Sequence, residues 1–261
     1  MKVTLITVCR NVAPVIRDTL ESIFAQTHPE IELIVIDGAS TDGTVEILRE
    51  YTTTPKGPTA QAGSHRRITT LVSEPDQGIY DAMNKGLRLA TGEVIGFVNA
   101  GDLLMTPKVI AQVVDAFQRA HVDAVYGDII MVDQFDLHKV HRTWLSGTYH
   151  RSNFRKGWMP PHVGTFIRKS VYDRFGLFNT DLRIGADYEI LLRFLYKNEV
   201  PTLHIREVLV RFRLGGMSNG SVRHILRANR EVRASWGING LQAPPLLVTR
   251  KLWSKVMQFF H

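Results

Sequence analysis

The fold is decided by the segment Ile31-Glu-Leu-Ile-Val-Ile-Asp37-Gly-Ala-Ser-Thr-Asp-Gly-Thr44. Its first six residues form a mostly apolar, β-branched run with the length of a buried strand. The residues after Asp37 form a polar, glycine-containing turn, and apolar residues then recur at helical spacing from Val45. A strand, a polar turn and a helix in this order predict one unit of an α/β sheet, with Asp37 at the carboxyl end of its strand.

The same alternation runs through the first half of the chain. The predicted strands are Val3–Val8, Ile31–Ile36, Ile68–Val72, Val94–Val98 and Ala124–Val132, and helical patterns lie between them. This order predicts an α/β fold with a mostly parallel central sheet flanked by helices. Beyond residue 138 the pattern is less regular. It predicts helices at Lys169–Phe175 and Ala186–Lys197 and a strand at Val208–Phe212.

Composition excludes several classes of protein. The chain has 261 residues, of which 44% are hydrophobic, which is enough for one sizeable core and excludes a disordered chain. Its single cysteine, Cys9, excludes a disulfide scaffold and a cysteine-based zinc cluster. The first apolar run is too short for a signal peptide, and no segment has the ~20 apolar residues of a membrane-spanning helix.

The net charge of +7 is unevenly distributed. Residues 1–137 carry 11 Lys and Arg against 18 Asp and Glu, residues 138–220 carry 14 against 6, and residues 221–261 carry 7 against 1. The total alone suggests nucleic acid, an anionic membrane or a phosphorylated ligand. Because a nucleic-acid binder has no evident need for an acidic half, nucleic acid is not predicted as a partner.

Polar side chains follow the predicted strands. Asp37 follows one strand, and the sequence Asn99-Ala-Gly-Asp102 follows another. In parallel sheets, ligands bind beyond the carboxyl ends of the strands. Two carboxylates there suit a hydroxylated ligand that binds a hard cation. The structural alternative is that Asp42 caps the next helix and that the neighbouring glycines only make turns.

Four segments in order resemble motifs of the family 2 glycosyltransferases, which have the GT-A fold. They are Asp37–Thr44 (DGASTDGT), Glu74–Gly86 (EPDQGIYDAMNKG), Thr91–Asp102 (TGEVIGFVNAGD) and Gly185–Leu192 (GADYEILL). The resemblance covers about residues 1–220 and is strongest to colanic-acid-type transferases of the bacterial surface-polysaccharide branch. It implies a catalytic domain at 1–220, with a nucleotide-sugar half at 1–102 and an acceptor half at 103–220, followed by a basic helical tail at 221–261.

The resemblance also assigns roles to individual residues. The expected nucleotide-sugar contacts are Thr7, Val8, Asn11, Asp37, Asp76, Asn84, Lys85, Asn99 and Arg213. Asp102 is expected to hold Mn²⁺ or Mg²⁺ against the donor diphosphate, where a divalent ion offsets the charge of the leaving group. Many relatives have two acidic residues at this place, whereas this chain has Gly101-Asp102.

The acceptor side is expected to include Asp187, Trp158 and His162. Asp187 is the expected general base, because inversion needs the acceptor hydroxyl deprotonated opposite the leaving group. Its alternative is a first-turn aspartate favoured by the helix dipole. Trp158 and His162 are expected to contact the acceptor. The alternative is that both are packing residues. Arg211 is a second candidate beside Arg213 for a phosphate contact, since the strand register is not known from sequence.

The C-terminal segment at 246–261 has one apolar face and one basic face at helical spacing. This composition is typical of a helix that lies on an anionic membrane surface. The alternative is that the tail packs on the catalytic domain or on another subunit, and a homo-oligomer is left open.

The resemblance therefore implies a metal-dependent, inverting hexosyl- or N-acetylhexosaminyltransferase. It would use a nucleotide sugar, with a UDP-sugar favoured, and a lipid-diphosphate-linked or oligosaccharide acceptor in surface-polysaccharide synthesis. The expected location is the cytoplasm, peripherally on the membrane. The alternatives are a sugar-phosphate nucleotidyltransferase and a non-catalytic basic protein that binds membrane or nucleic acid. A hydrolase is not expected, because Gly216-Met-Ser-Asn-Gly220 lacks a suitable later acid and histidine.

Overall fold

The computed structural model describes residues 1–53, 67–215, 222–245 and 247. The strands in these residues are β1 (Val3–Cys9), β2 (Ile31–Asp37), β3 (Thr70–Ser73), β4 (Val94–Phe97), β5 (Leu103–Leu104), β6 (Ala124–Val132), β7 (Val140–Trp144), β8 (Thr165–Arg168) and β9 (Thr202–Arg213). The helices are α1 (Ile16–Phe24), α2 (Thr44–Glu50), α3 (Ile79–Leu89), α4 (Val109–Arg119), α5 (Lys169–Phe175), α6 (Ala186–Leu191) and α7 (Val222–Ile238). A π-helical segment, Leu192–Lys197, continues α6, and 3₁₀ turns lie at Arg151–Lys156 and His162–Gly164.

The described strands form one mixed sheet in the order β3-β2-β1-β4-β8-β6-β9-β5, with β7 paired to β6. The first four strands in this order are parallel, which confirms the α/β prediction for the first half. The register places Cys9 opposite Asp37, and Asp37 opposite Ser73. The carboxyl ends of β1, β2 and β3 therefore lie side by side.

The sheet becomes mixed where β8 enters between β4 and β6. β8 is antiparallel to both of these strands, whereas β6 and β9 are parallel. No α-helix joins β6 to β7 or β7 to β8. The chain reverses at these connections, and β7 and β8 each pair antiparallel with β6. The mostly parallel arrangement expected from the sequence thus describes the half of the sheet formed by β1 to β4, and the other half is mixed.

The sheet has a hydrophobic core on each face. Successive residues of β1 point to opposite faces, so Ile6 and Val8 enter one core while Leu5 and Cys9 enter the other. Helices α3, α5, α6 and α7 cover the first face, and helices α1, α2 and α4 cover the second. The helices on the two faces hold the sheet between them, and with it the carboxyl ends of the parallel strands.

Helix α7 belongs to the first core. Val232, Trp236 and Leu247 are buried there, and Trp236 is 0% exposed. The indole of Trp236 donates to the Tyr188 hydroxyl at 3.0 Å and packs on the Tyr196 ring. The hydrophobic core therefore continues past residue 220, the boundary expected from the sequence.

Two expectations concern residues outside the described part of the chain. These are the Gly216–Gly220 motif and, apart from Leu247, the amphipathic segment 246–261. Within the described residues, no helix combines the length and apolar character needed to cross a membrane.

Candidate functional site

Asp37 closes the turn that follows β2. It is fully buried, and its carboxylate accepts hydrogen bonds from the Ser40 amide at 2.9 Å, from the Ser40 hydroxyl and from the Ser73 hydroxyl at 2.7 Å. The Cys9 thiol lies 3.7 Å from the same carboxylate. Burial and the nearby negative charge of Asp37 raise the pKa of Cys9 well above its usual range, so this thiol stays protonated.

The loop after β1 is tied to the loop after β2. Asn11 has a left-handed backbone, with φ 53°. Its amide donates to the Ser40 hydroxyl at 2.8 Å, and its side-chain oxygen accepts from the Thr41 amide at 2.9 Å. Asp42 accepts from the amides of Ala13 and Thr44, so it joins the first loop to the start of α2. Asp42 therefore has a structural role at this turn, although the N-cap of α2 is Gly43 and not Asp42 as the alternative expected.

Asp76 lies against the glycine of the second loop. One carboxylate oxygen of Asp76 accepts from the Gly78 amide at 2.9 Å. The other lies where a Cβ of residue 38 would stand, so any side chain at Gly38 would overlap it. Asp37, Asp42 and Asp76 all add negative potential at the Cys9 thiol, which places the three carboxylates around the end of β1.

Asn84 and Lys85 have other partners in the structure. Asn84 is buried, and its amide group exchanges two hydrogen bonds of 2.9 Å with the backbone of Phe178. The Lys85 ammonium contacts Glu74 at 2.8 Å and donates to the carbonyl of Pro75 at 2.9 Å. These bonds tie α3 to its surroundings, and the expected donor contacts of both residues stay predictions.

Asp102 ends the turn after β4 and is 3% exposed. One of its carboxylate oxygens accepts from the Arg213 amide at 3.3 Å. Burial raises the pKa of Asp102 to about 8, against the opposing effect of Arg213. Arg213, rather than Arg211, is therefore the arginine beside Asp102, and its guanidinium pairs with Asp18.

Four polar atoms near this turn are buried without a hydrogen-bond partner among the described residues. They are Thr7 Oγ1, Asn99 Oδ1, Asp102 Oδ2 and Arg213 Nε. Buried polar atoms are normally paired, so a group of unpaired ones indicates an interaction that an added ligand completes. Carboxylate and amide oxygens are hard donors, and those of Asp102 and Asn99 fit Mg²⁺ or Mn²⁺. The described residues contain no cluster of three or more His, Cys, Asp or Glu side chains that could hold a metal, so the remaining ligands would come from substrate and water.

Asp187 lies in the first turn of α6, two residues after the N-cap Gly185, and is partly exposed. Its carboxylate accepts from the Tyr188 amide at 2.7 Å. The neighbouring Tyr80, on α3, donates to the carbonyl of Ile184 at 2.5 Å. Burial, and then the negative charge of Asp187, raises the pKa of Tyr80 above its usual range. The structure thus places a carboxylate and a phenol together at the start of α6.

Trp158 and His162 make contacts typical of packing residues. The Trp158 indole donates to the carbonyl of Ser146 at 2.8 Å, and its ring lies among Tyr126, Tyr149 and Phe154. His162 packs between the rings of Phe97 and Phe178. Burial lowers the pKa of His162 to about 4, so its imidazole is neutral at physiological pH.

Sequence reasoning did not single out Ser40, Ser73, Tyr80 or Glu231. Ser40 and Tyr80 lie inside the quoted motifs, so their positions were visible but their roles were not. Glu231 had a distinct signal, because it is the single acidic residue among seven basic ones in 221–261.

Comparison with known proteins identifies the family. The model of the family described as "Glycosyl transferase family 2" matches residues 4–175. A PGL/p-HBAD biosynthesis glycosyltransferase of Mycobacterium bovis is 32% identical over 214 residues, which are 80% of this chain and 76% of that protein.

Solved structures share the fold. S. aureus TarS in complex with UDP-GlcNAc matches with a TM-score of 0.67 at 17% identity, over 96% of this chain and 69% of that one. The mannosyltransferase PcManGT from Pyrobaculum calidifontis, in complex with GDP-Man and Mn²⁺, matches with a TM-score of 0.64 at 22% identity, over 97% and 69%. This chain is therefore a glycosyltransferase that belongs to family 2 and has the GT-A fold.

Proposed function

We propose that this glycosyltransferase transfers a sugar from a nucleoside diphosphate sugar to a hydroxyl of a lipid-linked or polysaccharide acceptor, with inversion at the anomeric carbon. The observation that carries the proposal is the buried, unpartnered oxygen of Asp102 beside Arg213, at the same sheet edge as the Asp37 loop. A diphosphate and its cation would supply the missing partners. The related structures named above contain UDP-GlcNAc, or GDP-Man with Mn²⁺, which supports this donor class.

The donor would lie along the carboxyl edge of β1, β2 and β4. Thr7, Val8, Asn11 and Asp37 would form the nucleoside end of the site, with Asp76 beside Gly38. Asp102 and Asn99 would hold Mg²⁺ or Mn²⁺. The cation would stabilise negative charge on the departing diphosphate. Arg213 would add a guanidinium near the same charge. A UDP-sugar is favoured.

Asp187 would act as the general base. Its carboxylate would take the proton from the acceptor hydroxyl while that oxygen attacks the anomeric carbon. The bond from that carbon to the diphosphate oxygen breaks on the opposite face, and its electron pair leaves with the diphosphate. Attack and departure on opposite faces invert the configuration.

The acceptor is proposed to lie at the cytoplasmic face of a membrane. Helix α7 turns Leu226, Arg230 and Arg233 outward on one stripe, with Ile225 and Arg227 also exposed. The basic and apolar residues of 246–261 continue the same composition. Exposed arginines next to apolar side chains suit an anionic lipid surface.

The test is the variant Asp187→Asn, measured against the unchanged protein. Turnover is followed as the release of UDP or GDP in the presence of Mn²⁺. The donors are UDP-glucose, UDP-galactose, UDP-GlcNAc and GDP-mannose, and the acceptor is water or octyl glucoside. Asp187→Asn should lower turnover by about a hundredfold or more, because general-base catalysis contributes on this scale, and leave the affinity for UDP within twofold. Unchanged turnover would remove Asp187 from the mechanism.

A further inference from the structure

We propose that Glu231, on α7, is a positioning residue that fixes the start of α6 and thereby the Asp187 carboxylate. The inference rests on the proposed function of Asp187. It assigns a catalytic contribution to a residue that lies outside the four family motifs and outside the matched residues 4–175.

Glu231 holds the backbone at the point where α6 begins. One oxygen of its carboxylate accepts from the amides of Ile184 and Gly185, both at 2.8 Å. The approach of the two elements is close, since a Cβ at Gly185 would stand 3.0 Å from the Glu231 Cβ. Amides at the start of a helix have no partner within the helix, and here a side chain from a distant element supplies one.

The peptide groups at this turn are held from two sides. Glu231 accepts from the Ile184 amide, and Tyr80 donates to the Ile184 carbonyl. Asp187 follows three residues later. The negative charges of Asp187 and Glu231 both act on the Tyr80 hydroxyl, so both carboxylates lie near it. A shift of the turn would therefore move Asp187 relative to the donor edge.

Helix α7 has other bonds to α6, so Glu231 does not have to hold the helix in place. Trp236 donates to the Tyr188 hydroxyl, and Asn239 donates to the Glu189 carboxylate at 2.9 Å. Both contacts lie further along the two helices, and both are buried. The variant Glu231→Ala should therefore leave α7 packed while it frees the start of α6.

The test compares three variants with the donor that is turned over fastest in the panel above. Glu231→Ala should lower kcat by about tenfold or more and leave the donor KM within twofold, because small misplacements of a reacting group carry large rate penalties. Glu231→Gln keeps an oxygen acceptor of the same reach and should recover most of kcat. Glu231→Asp keeps the charge but is shorter, and should resemble Glu231→Ala.

The matched control is Asn239→Ala, which removes a buried bond between α6 and the residue that directly follows α7. It should lower the Tm but leave kcat unchanged well below that temperature. Wild-type kcat in Glu231→Ala would overturn the inference. If Glu231→Ala does not fold, equal kcat in Glu231→Asp and Glu231→Gln would overturn it instead. Asp187→Asn is assayed beside them. Full activity there would refute the proposed function, whereas an inactive Asp187→Asn with unaffected Glu231 variants would refute the positioning role alone.

Discussion

A buried carboxylate at the amino ends of the parallel strands makes the stability of the fold depend on pH. Glu32 is at the start of β2, and its side chain is 6% exposed. It accepts from the Thr4 hydroxyl at 2.5 Å, from the Thr91 amide at 2.8 Å and hydroxyl at 2.5 Å, and from the Lys2 ammonium at 2.9 Å. Burial alone would raise its pKa, but these hydrogen bonds outweigh burial and lower the pKa from 4.5 to about 2.

The magnitude follows from the shift. A pKa that is lower in the folded state stabilises the protein above the unfolded value of 4.5, and this stabilisation is lost as the pH falls toward 2. A shift of this size corresponds to about 3 kcal/mol in total, of which about 2 kcal/mol is lost between pH 7 and pH 3. Glu32→Gln removes the titrating group and should remove that part of the pH dependence.

The assay is urea unfolding at pH 7 and pH 3. The free energy of unfolding should fall by about 2 kcal/mol more in the unchanged protein than in Glu32→Gln. Glu46→Gln, which alters an exposed glutamate on α2, is the matched control and should behave like the unchanged protein. If Glu32→Gln and the unchanged protein lose equal stability between the two pH values, the reasoning is refuted.

Three further predictions concern ligand binding. Gly38→Ala should weaken the binding of UDP by about tenfold in calorimetry, since a Cβ there overlaps the Asp76 carboxylate and would displace it from the proposed nucleoside end of the site. Gly237→Ala, where nothing stands within 4 Å, is its control, and equal losses in both would contradict the explanation. Asp102→Asn should abolish the extra thermal stabilisation that Mn²⁺ gives to the protein with UDP, and a retained Mn²⁺ effect would exclude Asp102 as a ligand. Deletion of 246–261 should weaken binding to anionic vesicles by about a hundredfold at low salt, because it removes three basic residues worth ~1 kcal/mol each, and equal partition of both proteins would refute this.

Local patterns predicted several elements in both halves of the fold well. The strand Ala124–Val132 and the helix Lys169–Phe175 have the predicted bounds, and β1 and β2 differ from theirs by one residue. These elements are specified by their own periodicity, because each has a continuous buried face. The position of Asp37 at the sheet edge followed from the same pattern.

Contacts between distant residues could not be predicted in this way. The antiparallel entry of β8 depends on a chain reversal that the four residues of this strand, Thr165–Arg168, do not encode. Asn84 looked like a donor contact, but its amide is bonded to Phe178, which is 94 residues away. The bond from Glu231 to Ile184 spans 47 residues, and only the isolated acid in a basic segment marked it.

The burial of Trp236 has a consequence for how the protein is made. Synthesis proceeds from the N-terminus, and domains begin to fold as they emerge. The parallel strands β1 to β4 all lie within residues 1–100, so the strands of this half of the sheet are synthesised early. The other half stays incomplete, because Tyr188 and Glu189 are hydrogen-bonded to Trp236 and Asn239, which are synthesised about fifty residues later. The packing around α6 is thus completed only after residue 239 has emerged, and a nascent chain that stops near residue 220 would expose the apolar surface that α7 covers.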